Sequence, residues 1–184
     1  MGMVLGKISV ETPKYEVLQS NDDFEIRKYA PSVAAQCTYD PSLQGSNRDS
    51  GFTVLANYIG VLGKPHNTVP QKIAMTAPVV TSDDKERNMV TMQFLLPSMY
   101  TKAEDAPKPT DERVVITEEG ERKYGVVKFS GVAKDEIVED KAGKLKEKLE
   151  SEGFKVIGKY VLARYNPPWT LPAFRTNEIF IPIQ

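Results

Sequence analysis

Three features of this chain predict an α+β fold in which antiparallel strands form a distorted β-barrel flanked by two main helices. Short runs alternate apolar and polar residues and end at turn residues, as half-buried strands do. Two stretches only, after Asp49 and after Asp135, carry apolar residues at helical spacing. The order strand, strand, helix, strand, strand can be read on each side of a Pro- and Ala-containing linker, Ser98 to Arg113. A helix on a small antiparallel sheet leaves the other sheet face uncovered, and joining two such halves in one curved sheet covers both. The expected organisation is an N-terminal segment, 1–12, and one domain, 13–184, with pseudo-repeated halves at about 13–97 and 113–184.

Tyr15 to Ser20 and Phe24 to Tyr29 alternate across the turn cluster Asn21-Asp22-Asp23, which reads as a hairpin. Pro31 breaks the second strand, and Ser32 to Thr38 follows as a third strand of small residues. Asp40 to Ser50 is a loop whose last two residues can cap a helix. In that helix Phe52, Leu55, Ala56 and Ile59 share one face, and Gly60 and Gly63 supply the stop. A loop, Lys64 to Pro70, leads to Gln71–Val80, where Ile73, Met75, Ala77 and Val79 alternate as in a strand that Pro78 confines to an edge or bulge. Met89 to Pro97 is the next strand.

Past the linker, Val114 to Thr117 and Lys123 to Gly131 flank a turn at Glu118-Glu119-Gly120. Asp135 can cap a long charged helix in which Val138, Ala142, Leu145 and Leu149 form the apolar stripe, ending at Gly153. Lys155 to Tyr165 and Asn177 to Pro182 close the chain as strands.

With 24 Lys+Arg against 25 Asp+Glu the formal net charge is −1, so no global field draws the chain to nucleic acid. One cysteine, Cys37, makes no internal disulfide, and one histidine, His66, makes no zinc cluster with it. The start, Met1 to Lys7, lacks a basic region followed by a long apolar run, and Gly2 is followed by Gly6 where an acylation motif needs Ser or Thr. The expectation is a cytosolic protein with no membrane span.

Lys72-Ile73-Ala74-Met75-Thr76-Ala77-Pro78-Val79, Phe24-Glu25-Ile26-Arg27-Lys28-Tyr29, and Tyr165-Asn166-Pro167-Pro168 followed by Arg175-Thr176-Asn177-Glu178-Ile179 occur in that order. Together they resemble the SOUL haem-binding protein family, over roughly residues 13 to 183, in the manner of a plant-type cytosolic member. The resemblance implies reversible binding of haem or a related tetrapyrrole in an apolar pocket beside the first helix, as carrier or buffer. Where some members of the family carry a histidine, this chain has Lys28.

A porphyrin is a large apolar disc with two carboxylates, so its site needs an apolar wall and cations at the rim. Phe52, Leu55, Ala56 and Ile59 are the expected wall, with Met75 and Tyr165 extending it, and Lys64 and Arg175 are the candidates for the propionates. His66 is the possible axial ligand, with Cys37 and Tyr58 as other conceivable ones. Against each of these stands the plainer reading that an apolar helical face is core and a loop histidine is solvated.

Two other classes remain open. A protein-interaction module would use the Pro-rich corner Tyr165–Pro172 with Trp169, whose plainer role is a rigid turn. A small-molecule hydrolase in the same cleft would need an activated nucleophile, and His66 and Cys37 lie in separate segments. Glu118-Glu119 and Asp22-Asp23 sit in turns, and Gly60-Val61-Leu62-Gly63 follows a helix instead of opening one, which is wrong for a phosphate loop. The chain is accordingly expected not to be an enzyme.

Overall fold

The computed structural model describes residues 5–43 and 45–184. Met1 to Val4, on which the leader and acylation readings rest, and Gln44 in the first long loop lie outside the described residues. Among the described residues the fold is α+β: nine antiparallel strands and two α-helices, with short 3-10 turns at Ala103–Asp105 and Pro172–Phe174. The described chain divides into two compact units that do not follow the linker. One contains 5–9, 14–30 and 121–184; the other contains 10–13 and 31–120.

In the first unit the hairpin β1 (Tyr15–Ser20) and β2 (Glu25–Tyr29) pairs not with its sequence neighbour but with β7 (Arg122–Phe129). β7 pairs in turn with β9 (Asn177–Ile183), which pairs with β8 (Val161–Arg164). Helix α2 (Asp135–Ser151) lays Val138, Ala142, Leu145 and Leu149 on Ile179, Ile181, Ile183, Phe24, Ile26 and Phe129. The stripe read from sequence is therefore the core face, as its spacing requires. Gly125 on β7 lets the helix come this close, because a Cβ there would lie 2.5 Å from a methyl of Leu149. Asp135 is not the cap: Lys134 holds that position and Asp135 stands in the first turn, where a carboxylate favours the helix dipole.

In the second unit β3 (Ser32–Tyr39) is flanked by β5 (Met89–Leu95) and the edge strand β6 (Val115–Glu119), and β5 pairs with β4 (Val79–Asp84). Helix α1 (Ser50–Ile59) packs Leu55, Ala56 and Ile59 against Val33, Ala35 and Cys37 of β3 and Met92 and Phe94 of β5. Gly60, at φ 82, closes the helix by donating to Ala56 and Asn57, as expected.

Two strand expectations are corrected. Gln71–Val80 is not a strand through its length: residues up to Pro78 are irregular, and β4 begins at Val79 and runs through the polar Thr81-Ser82-Asp83-Asp84. The alternation of Ile73 and Met75 reflects core contacts of an extended segment whose backbone is held by other means, Ile73 N–H on Ile59 O at 2.9 Å and the Thr76 hydroxyl on Leu95 O. Likewise β8 covers only Val161–Arg164 of the expected Lys155–Tyr165. Upstream, Gly158 meets Pro182 of β9, which has no N–H for a ladder, and the chain makes one isolated bridge, Val156 to Ile183.

The two helices respond oppositely to the same substitution. Gly51 of α1 faces Tyr39, Cys37 and Met92 with no room for a Cβ, whereas Gly143 of α2 faces open space. Urea unfolding should show Gly143→Ala gaining about 0.5–1 kcal/mol and Gly51→Ala losing about 1–3 kcal/mol through overpacking.

Candidate functional site

Helix α1 spends its apolar face on the core. Leu55 and Ala56 are 0% exposed and Ile59 2%, so a ligand on the surface reaches them only by displacing β3 and β5. Phe52 alone of the expected wall reaches the surface, with its ring edge-on to Phe94 at 5.3 Å. Met75 is half-buried against the same core. Tyr58 is fully buried; its hydroxyl donates to Pro107 O at 2.7 Å, and burial pushes the phenol up to about 12. Cys37 of β3 is buried against the start of α1, its thiol donating to Gly51 O at 3.7 Å, and burial pushes it up to about 11. Both are neutral at neutral pH and turned into the core.

The apolar surface next to α1 comes from the loop that follows it. Val61, Leu62 and Val69 are exposed there, beside exposed Lys64 and His66. Sequence reading passed over these three because they have no periodic partner; their signal is that apolar residues stand in a Gly- and Pro-bounded loop. The loop is nevertheless rigidly built. Asn67, buried, donates to Tyr58 O at 3.0 Å and Gln71 O at 2.9 Å and accepts from Gln71 N–H at 2.9 Å. The His66 N–H donates to Asn57 O at 2.9 Å, and its carbonyl accepts from Thr110 at 3.0 Å. Backbone groups and one buried amide thus fix the loop, leaving the side chains of Lys64 and His66 outward.

The remaining expected residues lie in the other unit and are already engaged. Arg175 donates to Thr170 O at 2.8 Å and Pro168 O at 2.7 Å. Tyr165 faces Glu178, with burial first and that carboxylate next raising its phenol well above the usual range. Glu178 belongs to a buried group that sequence reading missed. Arg27 donates to Glu178 at 2.6 Å, to Glu25 at 2.7 Å and to the Tyr29 hydroxyl at 3.0 Å, and its guanidinium lies 4.3 Å from the Tyr15 ring centre. Its signal in the sequence was an arginine on the face of β2 that alternation assigns to solvent; a tyrosine-rich surround made burial affordable. Among the described residues no group of three His, Cys, Asp or Glu could hold a metal, and no helix is long and apolar enough to cross a membrane.

The sequence matches the family model described as SOUL heme-binding protein over residues 10–182. No curated protein matches it by sequence. Among solved structures, the crystal structure of the EcmrR C-terminal domain is similar at 13% identity and a TM-score of 0.60, over 92% of this chain and 98% of that one. A hydrolase from Listeria innocua is similar at 12% identity and a TM-score of 0.56, over 94% and 91%. At such identities the likeness shows a shared fold alone.

Two outcomes follow from the buried groups. Arg27→Met alone should cost about 3–5 kcal/mol in urea unfolding by stranding Glu178, and adding Glu178→Leu should recover most of that loss. The Cys37 thiol ionises near 9 when unfolded and near 11 when folded, so the folded state is favoured below 9 and loses that advantage as pH rises through 11. Cys37→Ala should make the alkaline fall in stability shallower over this window.

Proposed function

The chain belongs to the SOUL heme-binding protein family, and we propose that it binds haem or a related tetrapyrrole reversibly at the surface beside α1, as a carrier or buffer. Family membership over 10–182 carries the reading of ligand class. The exposed loop after α1 fits that ligand: Val61, Leu62 and Val69 offer apolar contact to a porphyrin face, with the edge of Phe52 nearby in the same unit. Lys64 is a cation for a propionate. Leu55, Ala56, Ile59 and Met75 act behind this surface by fixing the helix and the loop. Arg175 and Tyr165 keep their internal partners in this reading, so the propionate role falls to Lys64.

His66 supplies the one imidazole of the chain and stands exposed in that loop, where it could meet an iron centre. Binding on the apolar face does not depend on it. A site of this kind tolerates changes of central metal, which suits carriage or buffering better than redox catalysis.

Absorbance titration tests the proposal. Haem and metal-free protoporphyrin should bind with affinities within about threefold of each other, and Leu62→Asp should weaken both by at least about tenfold. A large preference for haem that vanishes in His66→Ala would replace the apolar face by iron ligation as the source of affinity. Undiminished binding by Leu62→Asp and Val61→Asp would remove the site from this loop.

A further inference from the structure

The corner between β8 and β9 presents an apolar tip that tetrapyrrole binding beside α1 does not use. Trp169 is 64% exposed, and Leu171 and Phe174 are about half exposed beside it. Two further exposed residues join them: Leu5, next to Gly6, which packs on Phe174, and Val132, next to Gly131, whose N–H donates to Pro172 O at 2.9 Å. All belong to the first unit.

This tip is braced. Thr170 is 1% exposed and its N–H donates to Pro167 O; Arg175 holds the carbonyls of Pro168 and Thr170 from below. Asn166 accepts from Thr176 N–H at 2.7 Å and donates to Gly6 O at 3.3 Å, tying both ends of the corner and the N-terminal segment together. The backbone thus prevents the three large apolar side chains from folding back onto the sheet.

Charge decides what such a tip meets. The segments that build it, 5–9, 129–134 and 160–177, contain Lys7, Lys134, Arg164 and Arg175 and no carboxylate, in a chain whose formal net charge is −1. The first acids beyond them are Glu11, Asp135 and Glu178, and Glu178 is buried against Arg27. A protruding Trp, Leu and Phe set among cations of one sign matches the interfacial layer of an anionic bilayer, where indole sits at the headgroup level and basic residues meet the surface potential. A protein partner needs a broader surface, about 800 Å² on each side, with a polar rim.

We propose that the Trp169–Phe174 corner, with Leu5 and Val132, docks shallowly on anionic lipid membranes. The contact is peripheral and independent of the tetrapyrrole reading.

Trp169 is the only tryptophan, so its emission reports on the tip directly. The full chain is mixed with phosphatidylcholine vesicles with and without about 30% phosphatidylserine, and binding is followed by emission and co-sedimentation. A blue shift and co-sedimentation with the anionic vesicles, weakened by salt and at least about fivefold by Leu171→Ser/Phe174→Ser or by Lys7→Glu/Lys134→Glu, is the expected result. Circular dichroism checks that these surface variants keep the fold. No partition into anionic vesicles, or equal partition into neutral ones, overturns the proposal. So does a blue shift without lipid that grows with protein concentration, which would make the occupant a second copy of the chain.

Discussion

The burial of Arg27 governs what the first unit can be. A guanidinium 5% exposed has to find charge and hydrogen bonds inside the protein, because the cost of leaving water is otherwise several kcal/mol. It finds Glu178 two strands away across β7, Glu25 on its own strand, and the hydroxyl of Tyr29. Tyr15, Tyr124 and Phe180 close around the group, with rings of Tyr124 and Phe180 stacked at 5.3 Å. The face of this sheet away from α2 is therefore a satisfied polar and aromatic network. Its strand register follows from the same contacts, since a one-residue slip of β2 would turn Arg27 into the apolar core under α2.

That commitment has a consequence for ligand binding. Tyr165 projects from the end of β8 toward Glu178, so its hydroxyl serves the network. In the second unit the equivalent economy holds for α1: its apolar stripe is needed to cover β3 and β5, and Tyr58 donates inward to Pro107. Much of the apolar surface that remains exposed comes from places where neither strand nor helix periodicity operates. Two such places are the loop after α1 and the corner after β8, where Val61, Leu62 and Val69, and Trp169, Leu171 and Phe174, stand exposed.

The same division explains what sequence could reveal. Both helices, the first hairpin, β3, β5, β7 and β9 were legible from periodic apolar residues and the turn residues between them, although β1 lies exposed along its length and β9 is buried on both faces. Gln71–Val80 misled because Ile73, Met75 and Ala77 alternate for contact with the core while Thr76 and neighbouring backbone groups bond outside any ladder. The assignment of β1 and β2 to the unit of α2 rests on pairing with β7 about a hundred residues on, and no local pattern encodes a partner at that distance. The family was legible from three short motifs. The ligand surface was not, because Phe52, Leu55, Ala56 and Ile59 satisfy the pattern of a pocket wall and of a core face equally, and only burial separates the two.

The two exposed loops share a physical device. Each is fastened by a polar side chain bonded to loop backbone: buried Asn67 after α1, and half-buried Arg175 after β8. A buried amide is tolerated only where its partners are fixed, so Asn67 selects one loop conformation over its alternatives, and the two guanidinium bonds of Arg175 do the same at the corner. The ordering entropy that a floppy apolar loop would lose on meeting a ligand is thereby settled during folding. This is why Val61 and Leu62, or Trp169 and Phe174, can stay outward in water at all: collapse onto the nearest apolar surface would break the anchoring bonds beneath them. Apolar exposure in these two loops is held in place by polar anchors, and a substitution at Asn67 should therefore disturb the surface more than one at Val61 disturbs the fold.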